Sequence, residues 1–185
     1  SKEDLIVLMM DAACDVPVLQ ERSESEWRQE MRDYVWATVQ VIRDRPWFID
    51  IPIMSIPVTP NHLKIVDWGL RTMRSLPLND YEKMSFVLLL SGYARQFGMI
   101  MRDIDRAVQA GGTPESFSGQ GYTEALKQLV GPDRYPYLYP IIQSGAYTEE
   151  NREENPVGDD YEFGLNRILD GIELYIEGKT RTGKA

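Results

Sequence analysis

The sequence predicts an all-α fold, and two observations carry that prediction. Polar residues of the kind that cap helices stand directly before apolar segments, and within those segments apolar residues recur at alternating spacings of three and four. The sequence contains no credible sheet and no internal repeat. We therefore expect a chain of helices joined by loops.

The first helix starts are marked by capping pairs, in which a polar side chain is followed three residues later by a carboxylate. These pairs are Ser1 with Asp4, Ser23 with Glu26, and Asn79 with Glu82. They predict helices at residues 1–14, 23–45 and 79–109. Pro52 and Pro57 remove backbone donors, which predicts an irregular turn at 48–55. Pro60 then takes the first position of a helix at 60–76, where its missing N–H costs nothing.

The later elements follow from the same signals. Thr113-Pro114 has the form of another helix start, whereas Gly111-Gly112 and the polar run 148–160 are typical of loops. Asp159 or Asp160 is placed to cap the last helix. The remaining predicted helices cover residues 122–130, 136–147 and 160–177.

Two of these helices are apolar on more than one face, so each needs neighbours on several sides. One is the segment 84–108, in which Phe86 and Tyr93 belong to a continuous apolar stripe. In the last helix, Gly164 and Gly171 stand a heptad apart beside such a stripe. Glycine inside a helix costs ~1 kcal/mol relative to alanine, which indicates a close helix approach. A subunit interface and a groove within one chain both explain this pattern, and the pattern alone leaves the two open.

Composition and charge narrow the function classes. The chain has 185 residues, about one ordinary domain, and its 20 basic and 29 acidic residues give a net charge of −9. This balance argues against a broad basic face for nucleic acid or anionic lipid. The apolar run 84–101 carries Arg95 and Gln96 and is too short for a membrane span, so we expect no membrane partner. The acidic start lacks the form of a signal peptide, and a first residue Ser1 rather than Met suggests that something upstream is missing.

Cysteine and histidine are scarce, which limits the chemistry further. Cys14 is the only cysteine, which rules out an internal disulfide and fits the reducing cytoplasm. His62 is the only histidine, which excludes metal sites that need several imidazoles. No Ser-His-Asp or Cys-His arrangement is supported, so we expect no metal, no cofactor and no enzymatic activity.

Three segments of the chain have counterparts in a known family. They are Ser1-Lys2-Glu3-Asp4-Leu5, the block 27–47 with Arg43-Asp44-Arg45 before Pro46-Trp47, and the run from Phe163 to Ile172. In order, they resemble the start of the interdomain helix, the next long helix with its exit, and the closing helix of the C-terminal domain in tetracycline-repressor-type (TetR) regulators. The resemblance covers essentially the whole chain.

The resemblance implies an antiparallel helical bundle that forms one effector-binding and dimerising domain over residues 1–185. Residues 1–14 would be the helix that links it to a helix-turn-helix domain lying before Ser1. Operator DNA would be bound only through that absent domain. The two long, many-faced helices would form a four-helix bundle with their copies in a homodimer.

Carrying the family's positions across gives two sets of candidate residues. The ligand set is Tyr34, Thr38, Ile65, Trp68, Phe86, Leu90 and Tyr93. The dimer set is Ile100, Ile104, Gly164, Leu165, Ile168, Gly171, Ile172 and Tyr175. Each apolar member also has a plain core interpretation, whereas the phenols of Tyr34 and Tyr93 need hydrogen-bond partners that a ligand can supply. Residues 15–18 and 48–55 lack the family's metal-chelate histidines, which argues against magnesium–tetracycline as the effector.

The function implied by the resemblance is that of a repressor released from DNA by a small, largely apolar or aromatic effector. A ligand inside the bundle would prefer one orientation of the linking helix and so set the spacing of the DNA-reading helices. Three alternatives stay open, namely a helical ligand carrier, a protein-interaction module, and an enzyme acting on an apolar substrate. The sequence names neither the effector nor the operator.

Overall fold

The computed structural model describes residues 1–51, 58–112, 120–146 and 155–182. Within them the chain forms seven α-helices and no strand, which confirms the all-α prediction. The helices are α1 (Lys2–Ala13), α2 (Trp27–Asp44), α3 (Pro60–Arg71), α4 (Asp80–Gln109), α5 (Gln120–Leu129), α6 (Leu138–Gln143) and α7 (Asp160–Thr182). None of these helices is long and apolar enough to cross a membrane.

The predicted capping pairs form the helix starts. Ser1 and Asp4 make a complete capping box at α1. At α4 the Glu82 N–H donates to Asn79 Oδ1 at 3.0 Å, and the Asn79 N–H donates to Glu82 Oε2 at 2.7 Å. The pair beginning at Ser23 opens a 3₁₀ turn, Glu24–Glu26, that leads into α2.

The predicted starts of two further helices, α3 and α7, agree with the structure as well. Pro60 is the first residue of α3. Asp159 caps α7 by accepting a 2.9 Å bond from the Glu162 N–H. The start predicted at Thr113-Pro114 lies outside the described residues.

Helix ends depart from the sequence prediction in three places. α3 ends at Arg71 rather than 76, and the Thr72 hydroxyl donates back to the Gly69 carbonyl at 2.8 Å where the helix gives way to turns. α6 covers only Leu138–Gln143, and Gly145 follows it with a φ of 77° that a helix cannot continue. α7 continues to Thr182, past the predicted end at 177.

The stretch predicted as an irregular turn at 48–55 is described only in part. Its beginning belongs to a 3₁₀ turn, Pro46–Asp50, and residues 52–57 lie outside the described ranges. The Arg95 guanidinium donates to the Ile49 carbonyl at 3.2 Å, and Arg102 donates to the Asp50 carboxylate at 2.6 Å. These two arginines of α4 hold the 3₁₀ turn in place.

The chain divides into two compact units. The first comprises Ser1–Arg102 and Gly164–Ala185, and the second comprises Asp103–Phe163. In the second unit α5 packs against α6, with Thr123, Val130 and Ile142 buried. The expectation of a single domain over residues 1–185 stays a prediction.

The first unit is held together where α2 meets α4 and α7. Gly98 of α4 lies against α2 so closely that a Cβ there would come within 2.9 Å of the Ile42 Cβ. On another side of α2, Arg28 forms ion pairs with Asp170 at 2.6 Å and with Glu173 at 2.8 Å. Within the first unit, α2 therefore contacts both α4 and α7.

Candidate functional site

Two of the predicted ligand residues, Tyr34 and Trp68, meet in the interior of the first unit, and a third, Leu90, is buried on α4. Tyr34, Trp68 and Leu90 are 1%, 2% and 0% exposed. The rings of Tyr34 and Trp68 meet edge to face, with centroids 6.0 Å apart and planes at 81°. The Tyr34 hydroxyl lies 2.9 Å from Ser91 Oγ, so these two hydroxyls are hydrogen-bonded. Ser91 was missed by the sequence analysis, because a serine in an apolar helix gives no signal of its own.

The Trp68 indole is the polar group that this cluster leaves unsatisfied. Its Nε1–H is buried and has no acceptor among the described residues. The Arg71 guanidinium lies 6.0 Å from the Trp68 ring centroid, within the range of a cation–π contact. A buried donor without an acceptor costs about 1 to 3 kcal/mol. A ligand that brings an acceptor to this N–H would remove that cost and so bind more tightly.

The side-chain hydroxyls of Tyr34 and Thr38 have hydrogen-bond partners. Burial raises the pKa of the Tyr34 phenol, and the hydrogen bond with Ser91 offsets this rise only in part, so the phenol is neutral at ordinary pH. Thr38 donates its hydroxyl to the Tyr34 carbonyl within α2, at 3.0 Å. Ile65 is buried on α3 one turn before Trp68. The site can therefore offer the indole N–H to a ligand without breaking an existing hydrogen bond.

The two remaining ligand candidates, Phe86 and Tyr93, contact α7. Phe86 meets Tyr175 edge to face with centroids 5.7 Å apart. The Tyr93 ring lies directly against Gly164, so closely that a Cβ at that position would overlap the phenol oxygen. Gly164 thus makes room for an approach of α4 to α7 within one chain. That is the intramolecular groove that the sequence pattern left open as an alternative to a subunit interface at this glycine.

The predicted dimer residues of the first unit divide between its core and its surface. Leu165 and Ile172 are 0% and 1% exposed, so they belong to the core of the protomer together with Leu169. Ile168 is half-buried, whereas Ile100 and Tyr175 are exposed. Their assignment to a dimer interface stays a prediction, as does that of Ile104, which is exposed in the second unit.

An exposed apolar surface on α4 and α7 surrounds these positions, and we call it the α4/α7 face. It consists of Met84, Leu88, Leu89, Gly92, Ile100, Gly171, Leu174 and Tyr175. Leu88 is 75% exposed and Leu174 is 68% exposed. Gly92 and Gly171 have open space where a Cβ would stand, so no described residue requires glycine there.

One end of the α4/α7 face carries a charged cluster. Lys179 donates to both oxygens of Glu82, at 2.6 and 2.8 Å, and the Tyr175 hydroxyl donates to Glu82 Oε1 at 2.6 Å. Hydrogen bonds from Lys179, Tyr175 and the Asn79 backbone lower the pKa of Glu82 to about 2. The carboxylate therefore keeps its charge throughout the physiological range and ties the start of α4 to the end of α7.

A buried ion cluster between α2 and the end of α3 was also missed by the sequence analysis. Glu30 is 1% exposed, and its two oxygens accept from Arg71 at 3.0 Å and from Arg74 at 2.7 Å. Arg71 also donates to the Leu19 carbonyl, and Arg74 to the Arg22 carbonyl. The cluster thereby joins α2, the end of α3 and the segment that follows α1.

A metal site and a reactive cysteine were also considered from the sequence. Within the described ranges, no set of three or more His, Cys, Asp and Glu side chains is arranged to hold a metal ion. Cys14 is buried, and burial raises the pKa of its thiol to about 11. A thiol in this state is a poor nucleophile at neutral pH.

The chain matches one protein family and is similar to a known repressor. The family described as "Tetracyclin repressor-like, C-terminal domain" matches residues 20–176. The chain is also similar to the HTH-type transcriptional repressor DrrR1 of Streptomyces coeruleorubidus, with 22% identity over 181 residues. That alignment covers 95% of this chain but 62% of the repressor, so the chain spans less than two thirds of its relative's length.

Proposed function

Since this chain belongs to the tetracyclin repressor-like C-terminal domain family, we propose that it is the effector-sensing and dimerising part of a TetR-type transcriptional repressor. The similar repressor from Streptomyces coeruleorubidus is an HTH-type protein, and more than a third of its length has no counterpart here. We assign operator binding to a helix-turn-helix unit outside these 185 residues. The chain itself performs no catalysis in this function.

The observation that carries the effector site is the unsatisfied indole of Trp68. Apolar and aromatic walls with a few placed polar groups are typical of small-molecule sites. The Arg71 guanidinium, which lies 6.0 Å from the Trp68 ring centroid, is already paired with Glu30. A buried anion would have to compete with Glu30 for this guanidinium, which favours a neutral ligand. We infer an apolar or aromatic effector that presents an oxygen acceptor, such as a carbonyl, to Trp68.

The proposed mechanism is a shift between two arrangements of the linking helix α1. DNA-reading helices of a dimer must reach successive major grooves about 34 Å apart, so a small rotation of α1 is enough to disturb binding. The effector needs a differential affinity for the two arrangements of about 1 to 3 kcal/mol. The effector would thereby release the repressor from its operator.

A matched pair of probes tests the hydrogen bond at Trp68. Fluorenone and fluorene have the same fused-ring skeleton, but only fluorenone carries a carbonyl oxygen. We expect the wild-type chain to bind fluorenone about tenfold more tightly than fluorene, because only the ketone satisfies the buried N–H. Trp68→Phe keeps an aromatic ring but removes the donor, so the preference should fall to about one. Isothermal titration calorimetry measures both affinities.

Trp36→Phe is the control, since it makes the same replacement at a side chain that is 43% exposed. It should leave the ketone preference unchanged. Equal preferences in the wild-type and Trp68→Phe chains would show that Trp68 is not the donor. If the wild-type chain bound neither probe, a neutral aromatic effector at this site would be contradicted.

Dimerisation is assigned to the α4/α7 face. Soluble monomers rarely expose large contiguous apolar patches, and this face carries large aliphatic side chains on two helices. Its open glycines, Gly92 and Gly171, would allow the backbones of a second copy to approach closely. Burial of this face against its own copy accounts for both features at once.

Leu88→Glu is expected to separate the dimer. The substitution places a charge on the α4/α7 face, where a second copy would have to bury it without a partner. Sedimentation equilibrium should then give the mass of one chain, 21.3 kDa, in place of twice that value. Leu129→Glu is a matched control, because Leu129 is also 75% exposed but lies on α5 in the second unit. A monomeric wild-type chain, or a dimer that survives Leu88→Glu, would contradict the assignment.

A further inference from the structure

The junction of α1 with α3 is a polar contact that the proposed effector site does not use. Asp11, in the last turn of α1, directs its carboxylate at the first turn of α3. Asp11 Oδ1 accepts the Asn61 N–H at 2.8 Å and the His62 N–H at 3.4 Å. Although burial raises the pKa of Asp11, hydrogen bonds from Thr59, Asn61 and His62 lower it overall, so the carboxylate is charged at neutral pH.

α3 depends on this contact because its own cap is not made. Thr59 occupies the N-cap position, but its side chain accepts no hydrogen bond from the helix. The first N–H groups of a helix have no partner within it and must be satisfied from outside. Here a carboxylate from another helix supplies acceptors, and its negative charge also interacts favourably with the positive end of the α3 dipole.

The contact is reciprocal. The Asn61 side-chain amide donates to the backbone carbonyl of Asp11 at 3.3 Å and to its carboxylate at the same distance. The last carbonyls of a helix also lack internal partners, and α1 has no basic residue in its last turn. Asp11 therefore caps the start of α3, and Asn61 adds a second hydrogen bond to a carbonyl at the end of α1 that already accepts the Cys14 N–H at 3.0 Å.

We propose that Asp11 is a positioning residue that couples the docking of α1 to the first turn of α3, because the cap of α3 is present only while α1 is docked. Ile65 and Trp68 follow that turn on the same helix. The coupling would link the effector helix directly to the linking helix, and this regulatory meaning rests on the proposed function. The structural coupling is independent of it.

Amide hydrogen exchange, followed by NMR, measures the coupling without a ligand. Asp11→Ala removes the cap, so exchange at the Asn61 and His62 amides should rise about tenfold. Asp11→Asn keeps a carbonyl oxygen that can accept from the same amides, and asparagine is itself a good cap, so it should restore most of the protection. Asp15→Asn, at an exposed residue just after α1, is the charge-matched control and should leave both amides unchanged.

A second pair of variants separates coupling from simple capping. Leu8 is 66% exposed on α1, so Leu8→Gly and Leu8→Ala remove similar surface contacts and differ mainly in helix propensity. We expect Leu8→Gly to exchange about threefold faster than Leu8→Ala at Asn61 and His62, because a less stable α1 releases the cap more often. In the Asp11→Ala background this ratio should fall to one.

Either of two results would overturn the proposal. One is unchanged exchange at the Asn61 and His62 amides in Asp11→Ala. The other is a ratio of exchange rates, Leu8→Gly to Leu8→Ala, that differs from the expected pattern. The ratio would either be one in the wild-type background or stay above one in the Asp11→Ala background. Neither result would bear on effector binding at Trp68 or on dimerisation. Conversely, a failure of the fluorenone test would leave the exchange results intact.

Discussion

Glu30→Ala is expected to lower the free energy of unfolding by about 3 kcal/mol or more, the effect of removing one partner from a buried ion pair. Glu30 is 1% exposed and supplies the carboxylate that Arg71 and Arg74 share. Without it, both partly buried guanidinium groups keep their desolvation cost, Arg71 loses its carboxylate partner, and Arg74 keeps only the exposed Glu21. Urea unfolding, followed by circular dichroism at a fixed protein concentration, measures the change.

Glu21→Ala provides the matched control for this prediction. Glu21 pairs with the same Arg74 at 2.6 Å, but its side chain is 58% exposed. Pairs exposed to solvent contribute less than about 1 kcal/mol, so this variant should remain close to the wild-type chain. If the two substitutions cost the same, burial of the Glu30 cluster would not be the source of its stability.

Local features of the fold could be predicted from the sequence because their causes are local. A capping box is determined by two residues three positions apart, so the starts of α1 and α4 were predicted correctly. The end of α3 was predicted too far along the chain. The sequence of residues 72–76 has an acceptable helical pattern, but residues 72–75 form turns instead. The resemblance to TetR regulators is confirmed by the family match over residues 20–176.

The polar contacts between helices were not predicted, because their causes are distant in sequence. Glu30 and Asp11 look like ordinary surface carboxylates of amphipathic helices. Their partners lie about forty to fifty residues away along the chain. Only the fold shows that one is enclosed by two arginines and that the other caps a different helix.

The choice between core and interface on α7 also depended on the fold. An apolar stripe at helical spacing shows that a face is covered, but it does not show whether the cover belongs to the same chain or to another. The resemblance placed Leu165 and Ile172 in the dimer interface, and the structure places both side chains in the protomer core. Leu174, which the sequence analysis did not select, is the exposed leucine of that helix.

Leu165→Ala should therefore destabilise the protomer itself, by about 2 to 5 kcal/mol, because it leaves a cavity in a close-packed interior. Leu174→Ala removes the same atoms from a side chain that is 68% exposed, so its cost to the protomer should stay within about 0.5 kcal/mol. Both are measured by urea unfolding in the Leu88→Glu background, where dissociation of the dimer does not contribute to the transition.

The same two variants, Leu165→Ala and Leu174→Ala, are then compared for their ability to dimerise, in chains that keep Leu88. Leu174→Ala should weaken the dimer in sedimentation equilibrium, because it removes apolar area from the α4/α7 face at little cost to folding. Leu165→Ala should affect association only as far as it unfolds the protomer. If Leu165→Ala weakened the dimer without lowering protomer stability, the leucine at 165 would be an interface residue. The side of α7 that meets the second copy would then be the one that the sequence resemblance implied.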